Sequence, residues 1–190
     1  MRATVRGATV STPIRLATDL IVVGAGDSQI NGRISNLTPG TGLFLRTNTT
    51  APTLRLQAAE TYSGPTVVDF GLTTTVPDQD AGILRLSGSG SILNTTGFDV
   101  RSGGTLAIET VASGVTNRVG DATPIVLRSG RLLAQSVSFG SAAQSEVVGP
   151  VSVAGFCTIA GQPPATSWRT IRPFAIPDDE GMGTVRRRHC

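Results

Sequence analysis

Gly82-Ile-Leu-Arg-Leu-Ser87, Ser91-Ile-Leu-Asn94, Phe98-Asp-Val-Arg101 and Gly104-Thr-Leu-Ala-Ile-Glu109 follow one another with only a few residues between them. Each is a short run of β-branched residues or leucines, closed by a glycine, asparagine or serine turn. Runs this short cannot bury a face alone. The same unit recurs from Leu43 to Ile159, and units stacked as rungs share one continuous core. The expectation is an all-β chain: a single-stranded, right-handed parallel β-helix, or solenoid.

Working outward, further strands are expected at Leu20–Val23, Ile30–Ile34, Gly42–Arg46, Thr53–Gln57, Thr66–Phe70, Ile125–Leu127, Arg131–Ala134, Val137–Phe139, Glu146–Val148, Val151–Val153 and Phe156–Ile159, with a weak one near Ala8–Val10. Each is bounded by Gly, Asn, Asp, Pro or Ser. No segment of helical length carries a 3.6-residue apolar period. A sandwich would need hairpins, yet a two-residue Asn-Gly connection between strong strands occurs once, at Asn31-Gly32. Small residues interleaved with Leu, Ile and Val suit a narrow coil interior, and Asn-Thr clusters suit corners. At roughly 20 residues per coil, some seven coils rising ~4.8 Å each predict a rod of about 30–35 Å.

Three regions follow: 1–18, a weakly ordered segment or partial rung; 19–160, the β-helix; and 161–190, an irregular proline-rich tail or cap. In the last region Pro163, Pro164, Pro173 and Pro177 remove ladder donors. Two readings stay open there: Trp168 lies as a lid on the last rung and protects its open edge, or the segment is an irregular tail. Left uncovered, the edge would favour edge-to-edge self-association.

The chain has 190 residues, 39% hydrophobic and 15% charged. Evenly clustered β-formers and few charges argue for order. No apolar run is long enough for a transmembrane helix, so no membrane insertion is expected. All 16 basic residues are arginine, and +2 of the +3 net charge lies in 161–190. Without a basic stripe or stacking aromatics, nucleic acid is not an expected partner. The amino terminus has no apolar segment of the kind a secretory leader needs. Cys157 and Cys190 could pair, or stand as one buried small residue and one tail thiol.

Glu60-Thr-Tyr-Ser-Gly-Pro-Thr-Val-Val68 resembles the N-T-Y-x-G-x-T-x-V signature of autotransporter-associated β-strand repeats, also called passenger-associated repeats, with Glu60 where Asn is usual. Ser89–Asn94, Val100–Leu106, Asn117–Val126, Arg128–Leu133 and Ser145–Val153 are similar to successive rungs of that family, so the resemblance covers about residues 41–160. It implies a β-helical passenger of a bacterial secreted or surface-displayed protein, structural or adhesive and not an enzyme. Surface glycans, or host and neighbouring-cell surfaces, would be its partners. A carbohydrate-binding or polysaccharide-cleaving β-helix is the alternative, and its mark would be a groove of carboxylates and aromatics along one face.

Chemistry-bearing motifs are few. Asp19-Leu-Ile-Val-Val-Gly-Ala-Gly26 mimics the opening of a dinucleotide fingerprint, but Gln29 stands at the third glycine position and no helix pattern follows. His189 is the only histidine, which disfavours a catalytic triad or a histidine-based metal site. Asp78-Gln-Asp80 is the one close carboxylate pair and reads best as a solvated turn rather than a calcium or acid/base site. Asn36-Leu-Thr38, Asn48-Thr-Thr50 and Asn94-Thr-Thr96 match the glycosylation sequon but read as corner residues. The expected set of catalytic, cofactor-binding and metal-binding residues is therefore empty.

Overall fold

A computed structural model of the chain describes residues 2–4, 7–24, 26–47, 52–70, 82–110, 117–136 and 146–162. Every regular element among them is a strand, and every pairing is parallel.

The chain lays down its strands in rotation around a coil. The first rung carries β1 (Arg2–Thr4), β2 (Thr9–Val10) and β3 (Ile14–Leu16); the second, β4 (Leu20–Gly24), β5 (Ser28–Ile30) and β6 (Ile34–Asn36). The third carries β7 (Leu43–Thr47), β8 (Thr53–Leu56) and β9 (Ala59–Glu60); the fourth, β10 (Thr66–Phe70), β11 (Ile83–Leu86) and β12 (Ser91–Ile92). The upper rungs have two strands each: β13 (Phe98–Arg101) with β14 (Thr105–Thr110), β15 (Ile125–Arg128) with β16 (Arg131–Ser136), and β17 (Val151–Ala154) with β18 (Thr158–Gln162). The result is a parallel β-solenoid.

Two seven-stranded sheets form its long faces, ordered β1-β4-β7-β10-β13-β15-β17 and β2-β5-β8-β11-β14-β16-β18. Seven strands make six steps of ~4.8 Å, a height of about 29 Å. The third face is narrower. It consists of the pairs β3-β6 and β9-β12, then a single bridge from Ile92 to Val119.

Strict register turns the alternation of each strand into aligned files. On the first sheet Leu20, Leu43, Thr66, Phe98 and Ile125 stack inward, and so do Val22, Leu45, Val68, Val100 and Leu127. On the second, Leu54, Leu84, Leu106 and Leu132 stack inward beside Ile30, Leu56, Leu86 and Ile108. The two sets meet in one core that also holds Ile34, Tyr62, Ile92 and Val119. Burial of these aliphatics from both sheets is what holds the coil closed.

Several local expectations need correction. Ile30–Ile34 is not one strand. Asn31-Gly32 is a corner joining β5 to β6, where a Cβ on Gly32 would lie 2.1 Å from Thr12 O in the rung below. Glu146–Val148 makes no ladder, for a reason given below. Phe156 is a bend residue rather than a strand residue, and β18 begins at Thr158. β1, β3 and β9 went unforeseen. Coil length also departs from the expected 20 residues: Arg2 pairs with Ile21, 19 residues on, whereas Thr66 pairs with Phe98, 32 residues on. The difference falls between strands, chiefly in the stretch of chain joining β10 to β11. Val137–Phe139, Asp78, Asp80, Trp168 and Cys190 lie outside the described residues. Cys157 carries a free thiol, half-buried, 3.3 Å from both Leu127 O and Ala154 O.

Candidate functional site

The charged side chains among the described residues are carboxylates and arginines, and their placement is the first question. Most of them face the neighbouring rung. Asp19, in the corner before β4, accepts the Gly42 N–H at 2.9 Å, and Asp27, before β5, accepts the Thr53 N–H at 3.1 Å. Asn36 does the same with its amide, its Oδ1 accepting from Ser63 N at 2.5 Å while its Nδ2 donates to Thr41 O at 2.9 Å. A corner has no ladder partner for its own N–H groups, and these side chains supply one.

The Glu60–Thr66 corner is the most concentrated polar feature. β9 places Glu60 inside the coil, where it is almost fully buried and its Oε2 accepts the N–H of Ile34 at the start of β6. Its Oε1 is buried without a partner. Burial in apolar surroundings pushes the carboxyl up to about 8, against the opposing pull of the Ile34 N–H and the Arg33 charge. Glu60 is therefore largely protonated at neutral pH. Two residues on, Tyr62 is wholly buried and its hydroxyl meets Thr66 Oγ1 at 2.7 Å; burial raises this phenol as well. Thr66 continues to Thr95 of the next rung at 3.1 Å, and Thr95 donates to Gly64 O at 2.7 Å. Gly64 is needed there because a Cβ would sit 2.3 Å from Gly40 O. Thus the residues of the repeat-like signature form a satisfied interior network across two rungs, save for one carboxyl oxygen.

A second polar pair, one member of it buried, sits higher on the third face. Arg118 is fully buried, with Nη1 donating to Gly90 O at 2.6 Å and Nη2 to Gly88 O at 2.7 Å, both on the rung below. Glu146, one coil above, accepts the N–H groups of Arg118 and Val119 at 2.7 and 2.8 Å. Its carboxylate does the work a strand at 146–148 would have done, which is why no ladder forms there. Burial raises the Glu146 carboxyl, offset by those two N–H groups and the Arg118 charge and reinforced by Asp121; burial lowers the Arg118 guanidinium, offset by Glu146 and Glu109. Arg118 was not legible as special in the sequence. Its one signal is the 28-residue separation from Glu146, a single coil length.

On the outer faces, Asp99 pairs with Arg101 of its own strand and with Arg128 of the next rung at 3.4 Å, and Arg85 pairs with Glu109 at 3.1 Å. The Arg101 guanidinium is raised, chiefly by its hydrogen bond to Asp99. Asp99–Arg128 and Arg85–Glu109 tie adjacent rungs, whereas Asp99–Arg101 lies within one strand.

Among the described residues no three of His, Cys, Asp and Glu gather closely enough to hold a metal ion, and no helix is long and apolar enough to cross a membrane. The fingerprint-like Asp19–Gly26 segment contains β4 and is followed by β5, and among the described residues no helix amino terminus faces it. Comparison with protein-family models, with curated proteins and with solved structures returns no match.

Proposed function

We propose that the chain is a non-enzymatic structural segment of a bacterial surface-displayed or secreted protein, resembling an autotransporter passenger, that spaces or presents an adhesive surface. One observation carries this reading. Asp19, Asp27, Glu60, Asp99, Glu109 and Glu146 are engaged with backbone N–H groups or arginines on neighbouring rungs, and so are committed to stacking. A polysaccharide-cleaving β-helix would need two of them free and converging on one face. The Tyr62 hydroxyl, which could have lined a sugar site, is turned into the core.

The test presents the purified chain to an array of acidic and neutral polysaccharides, and in parallel retains chain-coated beads on glycan-bearing and bare cell surfaces. The expected result is no turnover of any polysaccharide, with bead retention on at least one surface. Cleavage of any member would replace this reading with the enzymatic one. Sequencing the flanking DNA tests display separately: an in-frame export signal or outer-membrane barrel is expected.

A further inference from the structure

The sequon-like triplets part company once their side chains are placed. Asn36 is committed to the coil, its Nδ2 donating to Thr41 O at 2.9 Å and its Oδ1 accepting from Ser63 N. Asn48 lies outside the described residues. Asn94 stands in the connection from β12 to β13, between the third face and the first sheet, and is exposed. Its carboxamide makes no hydrogen bond among the described residues. The triplet alternates outward, inward, outward. Thr95 is 5% exposed and its Oγ1 is anchored inside, 2.7 Å from Gly64 O and 3.1 Å from Thr66 Oγ1. Thr96 is exposed again, and its hydroxyl is equally unbonded among the described residues. Stacking accounts for Thr95 and leaves Asn94 and Thr96 without a structural task.

We propose that Asn94 is an acceptor for N-linked glycosylation, with the Thr96 hydroxyl as the group a transferase reads beside it. Asn-x-Ser/Thr on exposed chain, with any residue but proline in the middle, is the acceptor pattern, and here the middle residue is Thr95. The donor is a sugar activated at C1 by a nucleotide or lipid diphosphate. Asn94 Nδ2 bonds to C1, the C1–O bond to the diphosphate breaks, and the diphosphate leaves with the electron pair. Nδ2 gives up one proton to a base of the transferase. Amide and hydroxyl must be reached together, and the alternation presents both to solvent while buried Thr95 fixes the backbone between them. Leu93, 44% exposed beside the acceptor, offers the first sugar ring an apolar surface. Neither Asn94 nor Thr96 makes a bond to another rung among the described residues, so a glycan at this corner leaves ladders and core untouched. The inference depends on the fold and not on the surface-display reading.

The test isolates the protein from its native cells, digests it and sequences the peptides around Asn36 and Asn94 by electron-transfer mass spectrometry. The expected result is a sugar on Asn94 and none on Asn36. A single sugar identifies a nucleotide donor and a preassembled oligosaccharide a lipid-linked one, and both support the site. Thr96→Ala made in the same cells should lose the modification entirely. Its far-UV circular dichroism and urea midpoint should match wild type, because the side chain it alters is exposed and unbonded among the described residues. A bare Asn94 in the wild-type protein would overturn the proposal. So would a sugar on Asn94 that survives Thr96→Ala, a sugar carried on a threonine hydroxyl of the triplet instead, or equal modification of Asn36, which would make exposure irrelevant.

Discussion

Glu60 shows how one interior side chain can set the pH response of a whole fold. Its folded carboxyl titrates near 8 against an ordinary value of 4.5, so between those values the folded chain holds a proton that the unfolded chain has lost. Stability from this group is fully present below about pH 4.5, falls as pH rises, and has gone once pH passes about 8. At 1.36 kcal/mol per unit, the loss across that window is up to about 4–5 kcal/mol. Glu60→Gln keeps the acceptor for Ile34 N–H and removes the titration. The variant should melt close to wild type at pH 4.5 and clearly higher at pH 8.5, followed by circular dichroism. Equal pH slopes in the two proteins would show that Glu60 is ionised in the fold. The sequence marked this position, since Glu stands where the resembled signature has Asn, but could not reveal the burial, which depends on β9 pairing with β12 rather than on neighbours in the chain.

At the scale of elements, the third face trades strands for side chains. It has paired strands up to β12 and then only the Ile92–Val119 bridge, and Arg118 with Glu146 carries the connection across the fourth, fifth and sixth rungs. Arg118→Met fills the space but strands the buried Gly90 carbonyl, frees that of Gly88 and leaves Glu146 facing no cation, a cost of about 3 kcal/mol. Glu146→Gln retains an oxygen for both N–H groups and should cost less than half as much. Urea midpoints of the two variants measure the contrast, and equal losses would mean that the charge pairing, not the carbonyl capping, matters. Strands such as Thr66–Phe70 and Ile83–Leu86 were legible to the residue because four or five β-formers sit between turn residues. Glu146–Val148 has the same look and forms no strand, because the hydrogen bonds that would define one are taken by its own carboxylate.

At the largest scale the described residues form a stack in which each strand pairs only with those of adjacent levels, so a fault in the middle divides it. Leu106 lies on the fifth of seven rungs, fully buried between Leu84 and Leu132. Leu106→Ala should cost about 2–5 kcal/mol, and Leu106→Asp, which buries an unpaired charge, should abolish the single cooperative transition in calorimetry. Unchanged melting would refute the stacking order. That order was readable from the recurrence of short runs, whereas the site was not, since which carboxylate meets which backbone group depends on coil length and no local pattern encodes it. Coil length is the freest variable in the fold: 19 residues separate Arg2 from Ile21 and 32 separate Thr66 from Phe98, yet both pairs sit in perfect alignment. Extra length between strands leaves the ladders in register, so connections of different size can be spliced into successive levels of an unaltered shaft. A lineage built this way could vary what it shows to the outside world while inheriting its mechanical frame intact.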